Sequence, residues 1–204
     1  MTLLLLIRHG ENEYTRTGKL AGWTKSVHLN EAGQKQVLAL AERLAQIPIE
    51  AIYSSPLERA LDTASPLARA KKLRVKISAG LGEVRYGAWT GRSLKVLART
   101  KLWRVVQQHP SAMQFPEGET FRGVQTRALD AVEQIVRAHA HPKAIVAAVS
   151  HGDVIKLIVA HYLGMPLDLF QRLVINTASV TLLRLGHGHP VLVKLNDTGP
   201  TEPR

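Results

Sequence analysis

The chain has 204 residues, with 27 Lys and Arg against 16 Asp and Glu, a net charge of +11, nine His and no Cys. That length suits one domain able to bury roughly 70% of its unfolded surface. A composition that is 45% hydrophobic and 21% charged excludes a disordered or fibrous polymer, and the lack of Cys excludes a disulfide scaffold, a thiol nucleophile and a thiolate zinc site.

The first element in chain order is Leu3 to Ile7, an all-apolar run typical of a strand buried on both faces. It is too short for a signal-peptide core and has no basic residues before it, and no stretch reaches the ~20 apolar residues of a membrane span. A cytoplasmic protein without membrane contact is expected. Asn30 is placed to cap a helix carrying Val37, Leu40, Ala41 and Leu44 at helical spacing, ended by Pro48. Ile49 to Tyr53 reads as a second strand. Ser55 as cap and Pro56 at the first position then open a helix to about Ala70.

Val75 to Ile77 is a third strand, and Leu94 to Gln108 a further helix closed by Pro110. A long helix follows from about Glu119 to Ala140, then Ala144 to Val149 as a second doubly buried strand. Gly152 opens an apolar helix that Gly164 ends. Ser179 to Leu185 and Pro190 to Leu195 form a closing hairpin, whose exposed face offers a surface for a homodimer. The alternation predicts an α/β fold, a three-layer sandwich around a mostly parallel sheet, in one domain over residues 1–196 with a disordered tail over 197–204.

Three of these strands run into chemistry. The first ends at Arg8-His9-Gly10, the second leads into a helix whose first turn holds Arg59, and the last parallel one ends at Ser150-His151-Gly152. Parallel sheets bind ligands at the carboxyl ends of their strands, so two Arg and two His converge on one crevice. Helix N-termini near Pro56 and Gly152 add free N–H groups, and such a cup suits a tetrahedral dianion. A single His-Gly after a strand is usually turn chemistry, but two such pairs after all-apolar strands favour a functional site. The basic cluster from Arg69 to Lys76 has no interleaved aromatics and reads as solvated surface, which argues against a nucleic-acid partner. His139 and His141, and His187 and His189, sit in predicted loops without a carboxylate partner and predict no metal site; His161 is expected in the core or an interface.

Taken in order, Arg8-His9-Gly10-Glu11, Gly22-Trp23, Leu29 with Gly33, Tyr53-Ser54-Ser55-Pro56-Leu57-x-Arg59-Ala60-x-x-Thr63-Ala64, Glu83-x-x-Tyr86-Gly87, Pro116-x-Gly118-Glu119 and Val149-Ser150-His151-Gly152 resemble the histidine phosphatase superfamily. The similar branch is that of the cofactor-dependent phosphoglycerate mutases and their small phosphatase relatives. The resemblance implies a phosphoglycerate mutase-like fold and a phosphohistidine on His9. It makes Arg8, Arg59 and His151, with the Gly152 N–H, the holders of the phosphoryl oxygens, and Glu83 the proton donor. It implies no cofactor and no metal. Thr15 stands where the family commonly has a phosphate-touching Asn, Leu94 where the mutases carry Lys, and Asp153 where they typically carry Asn.

The mutases also run longer, whereas here only 27 residues separate Gly91 from Glu119. That favours hydrolysis of a small phosphorylated metabolite over a mutase, with nucleic-acid binding as a distant alternative. The segment from Arg92 to Phe115 is expected to cover the crevice. Arg92 and Tyr86 are its candidate substrate contacts beside Thr15 and Gly22.

Overall fold

The computed structural model describes residues 1–186 and 188–199. Six strands form one sheet: β1 (Thr2–Arg8), β2 (Ala51–Ser54), β3 (Val75–Ile77), β4 (Ile145–Ser150), β5 (Val180–Leu185) and β6 (Val191–Asp197), in the order β3-β2-β4-β1-β5-β6. The first four in that order run parallel, and β5 and β6 add an antiparallel edge. The β1–β4 register pairs Leu3 with Ile145 and ends with Arg8 opposite Ser150, so the two His-Gly turns leave the sheet side by side.

Among the described residues seven α-helices accompany the sheet: α1 (Glu13–Arg16), α2 (Glu31–Arg43), α3 (Glu58–Lys71), α4 (Leu94–Leu97), α5 (Lys101–Gln108), α6 (Phe121–Ala138) and α7 (Gly152–Tyr162). The all-apolar runs explain the layers. Leu5 and Ile7 of β1, with Ala147 and Val149 of β4, pack on Leu40, Ala60, Ala64 and Leu67 of α2 and α3. Leu4 and Leu6, with Val146 and Ala148, face Val124, Ala128 and Val132 of α6 and Ile155 and Ile158 of α7. Successive strand residues point to opposite faces, so a strand covered on both sides has no place for a polar residue until it ends. Each of these β1 side chains is at most 2% exposed, and burying one is worth roughly 1.5–3 kcal/mol.

Four local expectations are corrected. Helix α3 starts at Glu58 with Leu57 as its cap residue, not at Pro56; the Ser55 hydroxyl oxygen accepts the Leu57 N–H (3.3 Å) while it also meets His151 Nε2. The helix expected over 94–108 is two helices. Thr100 Oγ1 donates to the Leu97 carbonyl (2.7 Å) and Thr100 itself is extended, a break that lets both Leu97 and Val106 reach the core. Asp197 is not the start of a loose tail: it ends β6, 2.9 Å from Lys194 Nζ and 3.6 Å from Arg43 Nη1. His161 is exposed in the last turn of α7 rather than packed. The remainder of the expected tail, 200–204, and His187 lie outside the described residues. No helix among the described residues is long and apolar enough to cross a membrane.

Candidate active site

A cavity of about 490 Å³ opens at the carboxyl ends of β1, β2 and β4. Its floor holds Arg8, His9, Asn12, Arg59 and Glu83, with His151 fully buried beside them. The two imidazole rings lie 5.1 Å apart. The His9 Nδ1 meets the Gly10 carbonyl at 2.8 Å; a carbonyl only accepts, so Nδ1 carries the proton and Nε2 keeps its lone pair. Gly10 is held in turn, its N–H donating to Thr63 Oγ1 (3.0 Å). Burial first, then the charges of Arg59 and Arg8, hold the His9 pKa well below its ordinary value. His151 is lowered by the same causes. Both rings are therefore neutral at neutral pH.

Each guanidinium is clamped at one nitrogen and free at others. Arg8 Nη1 donates to the Ile175 carbonyl (2.7 Å), and Arg59 Nη2 to the Gly22 carbonyl (2.8 Å). Left buried without a partner are Arg8 Nε, Arg59 Nε and Nη1, Asn12 Nδ2 and His151 Nδ1. Unpaired buried donors are costly and rare, so five around one imidazole mark the position of an anion. Gly152 matters for the same reason: a Cβ there would stand 3.3 Å from Arg8 Nε, so glycine lets the guanidinium lie against the first turn of α7.

Glu83 approaches from the loop between β3 and α4. Burial first, then the charge of Asp153, pushes its carboxyl up to about 7, against the pull of Arg59. Its Oε2 lies 3.7 Å from His151 Nδ1. Backbone restraints hold this loop: Arg127 of α6 donates to the carbonyls of Gly80, Gly82 and Glu83 at 2.8–2.9 Å while bridging Glu119. Trp23 Nε1 also donates to the Glu83 carbonyl (2.6 Å). The Tyr86-Gly87 and Pro116-x-Gly118-Glu119 segments lock together, since a Cβ on Gly87 would collide with the Pro116 carbonyl.

The remaining expected contacts divide. Tyr86 lines the cavity, and its hydroxyl donates to Asp153 Oδ2 (3.0 Å). Thr15 also lines it, but its hydroxyl is spent on the Asn12 backbone, in a capping box at the start of α1. The amide that reaches the cup is that of Asn12, three residues earlier. Gly22 offers its carbonyl to Arg59 and does not line the cavity. Arg92 is exposed and outside the lining; its backbone bonds to Leu20 and Trp89 instead. The 92–115 segment does wall the cavity, through Leu94, Trp103, Val106, Gln107 and Phe115 rather than through its bases.

Sequence reading passed over Asn12 and Lys156. Asn12 lay directly behind the Arg-His-Gly turn, a signal that was available. Lys156, one helical turn beyond Asp153 on α7, lines the cavity, and its ammonium bonds to Asp153 (3.4 Å) and Gln171 (3.2 Å). His139 and His141 do have a carboxylate partner: Glu50 meets them at 2.6 and 2.9 Å, at the opposite end of the sheet. His9, Glu83 and His151 present ligand atoms within 4.8 Å of one another, a spacing a metal could use, but the guanidiniums of buried Arg59 and half-buried Arg8 beside them set the local charge against a cation.

An anion cup with a free imidazole lone pair, at the carboxyl ends of a parallel sheet, defines an enzyme that handles phosphate esters. The model of the histidine phosphatase superfamily (branch 1) matches residues 4–198, and the chain belongs to that family. It is 30% identical over 200 residues to phosphoserine phosphatase 1 of Hydrogenobacter thermophilus, covering 97% of this chain and 93% of that protein. A bifunctional protein of Mycobacterium tuberculosis is 35% identical over 202 residues, of which the chain spans about half the length (54%). Among solved structures, a phosphoserine phosphatase from Entamoeba histolytica in complex with phosphoserine superposes with a TM-score of 0.87 at 27% identity, over 97% of this chain and 98% of that one. The protein is a phosphomonoester hydrolase of small phosphorylated substrates.

Proposed function

We propose that the enzyme hydrolyses the phosphomonoester of a small hydroxy or amino acid through a phosphohistidine on His9. The observation that carries this reading is the set of five unpaired buried nitrogens, from Arg8, Asn12, Arg59 and His151, gathered around one imidazole. His9 Nε2 attacks phosphorus in line with the ester oxygen, and the N–P bond forms as the P–O bond breaks. The proton on Glu83 goes to the leaving oxygen. Glu83, now a carboxylate, takes a proton from water, whose oxygen displaces His9 and releases inorganic phosphate. A carboxyl held near 7 is suited to both steps. The guanidiniums and His151 neutralise charge on the equatorial oxygens, where phosphoryl transfer needs most of its stabilisation.

The mouth supports the choice of substrate. Asp153 and Lys156, linked to each other and to Gln171, bring both signs of charge to a cavity that Trp103, Val106 and Leu94 also line with apolar surface. A carboxylate fits Lys156 and an ammonium fits Asp153. The phosphoserine phosphatases among the relatives agree with an acid of this size. The test compares O-phosphoserine, 3-phosphoglycerate, phosphoethanolamine and an aryl phosphate, with and without a chelator. Turnover is expected to ignore the chelator, and Lys156→Met should raise KM for the two carboxylated esters alone. Equal effects on all four esters would refute the carboxylate subsite. Robust interconversion of 2- and 3-phosphoglycerate would refute hydrolysis as the main reaction.

A further inference from the structure

The two active-site imidazoles are held from behind by different groups. His9 leans on a carbonyl. His151 leans on the Ser55 hydroxyl, with His151 Nε2 and Ser55 Oγ 2.8 Å apart and both residues fully buried. A hydroxyl can donate or accept, so the geometry alone leaves the proton free to sit on either side. The surroundings of Ser55 decide. The Leu57 N–H donates into Ser55 Oγ at 3.3 Å, which takes one of the two lone pairs on that oxygen. Among the described residues the hydroxyl proton meets one hydrogen-bond acceptor, His151 Nε2, and a buried hydroxyl proton left without one is costly.

We infer that Ser55 is a positioning residue that locks His151 in its Nδ1–H tautomer, so that a neutral ring presents a hydrogen-bond donor to the phosphoryl group. The inference rests on the proposed role of His151 as a phosphoryl-oxygen donor. It goes beyond that role by naming what keeps the donor in place. His151 Nδ1 is buried and unpaired, beside His9 and 3.7 Å from Glu83 Oε2. In the other tautomer a bare Nδ1 lone pair would face the phosphoryl oxygens and repel them. It would also offer a second acceptor for the Glu83 proton, which the leaving group needs. With Nδ1 already protonated, His151 does not compete for the Glu83 proton. A protonated ring would have to donate from Nε2 into Ser55 Oγ, leaving the serine proton without an acceptor. Ser55 therefore disfavours both alternatives.

The symmetry with His9 is informative. Both rings carry their proton on Nδ1, yet they turn opposite atoms to the substrate. The Gly10 carbonyl takes the His9 Nδ1–H and leaves a lone pair for attack. The Ser55 hydroxyl fills the His151 Nε2 lone pair and leaves an N–H for binding.

The experiment uses protein labelled with ¹⁵N-histidine. In the wild type, the His151 ring is expected to show a protonated Nδ1 and a bare, hydrogen-bonded Nε2 at neutral pH, before and after addition of vanadate. Ser55→Ala should mix the tautomers and weaken vanadate binding by about tenfold to a hundredfold, the range for a lost hydrogen bond to a charged group. Ser54→Ala is the control, because the Ser54 hydroxyl is equally buried but donates only to the Ser55 carbonyl (2.9 Å). It should lower thermal stability and leave the His151 signals and vanadate affinity in place. A wild-type ring protonated on Nε2 overturns the inference, and that spectrum decides even if Ser55→Ala does not fold. Unchanged signals and affinity in a folded Ser55→Ala overturn it as well. Either result would leave phosphatase turnover by the wild type untouched, so failure here is separable from failure of the proposed function.

Discussion

At the deep end of the cavity, the two guanidiniums proposed to grip phosphate and the attacking imidazole are each pinned by main chain. Arg8 is held by the Ile175 carbonyl, Arg59 by that of Gly22 and His9 by that of Gly10. Further out, Lys156 and Asp153 are held by side chains, each other with Gln171 and Tyr86, and two short helices, α4 and α5, also line the cavity. The deep end is preorganised for an anion of one shape. The mouth can be reshaped by changing side chains. That contrast suits an enzyme in which the chemistry is fixed and the substrate is chosen by what surrounds it.

The contrast can be broken most severely at Arg59. Arg59→Ala should lower kcat/KM by about 10²- to 10³-fold, the scale for a lost preorganised donor, with every ester affected alike. Arg59→Lys should recover little, because the ammonium cannot keep both the Gly22 carbonyl and the phosphate. If either variant were selective among substrates, the division between gripping and choosing would fail.

Asn12→Ser is a milder probe. Serine keeps the cap on α1 but removes the Nδ2 amide, so kcat/KM should fall by about tenfold while the melting temperature changes little. A Thr15 variant that matched this loss would return the phosphate contact to Thr15.

Glu83 gives the pH signature. Because its carboxyl is raised to about 7, kcat/KM should decline as pH rises through 7 and the acid form is lost. Stability has the same sign. Below the ordinary value of 4.5 the group is protonated folded or unfolded, and between 4.5 and about 7 only the unfolded chain ionises, so folding weakens as pH rises through that window. Glu83→Gln should flatten that part of the melting-temperature profile while abolishing most turnover. Asp153→Asn should move the kinetic decline to lower pH, since the Asp153 charge helps hold Glu83 up. The smallest expected effect is that of Arg92→Ala, outside the cavity, with kinetics unchanged for all four esters.

How legible each end was in the sequence follows from how it is built. The deep end was readable because β1 and β4 are buried on both faces: an unbroken apolar run that stops at His-Gly announces both the strand and its exposed end. The strand order then put His9 and His151 side by side, as their register does. Asn12 and Thr15 were the limit of that reading. Their roles depend on which of two side chains closes the α1 cap, a choice settled by local hydrogen bonds. Ser55 read as a helix cap because Pro56 follows it, and its second contact, with His151, is made only in the tertiary fold. The mouth was less readable still. Arg92 lay near Tyr86 in sequence but its backbone pairs with Leu20, and Lys156 looked like one more base on a basic protein until the helix placed it beside Asp153.

The central claim is that His9 carries the phosphoryl group. Rapid acid-free quenching during turnover of a ³²P-labelled ester, followed by peptide mapping, tests it most directly. The account predicts an acid-labile, alkali-stable phosphoenzyme with the label on His9 Nε2, absent in His9→Ala. Undiminished turnover by His9→Ala, or label on any other residue, would contradict it.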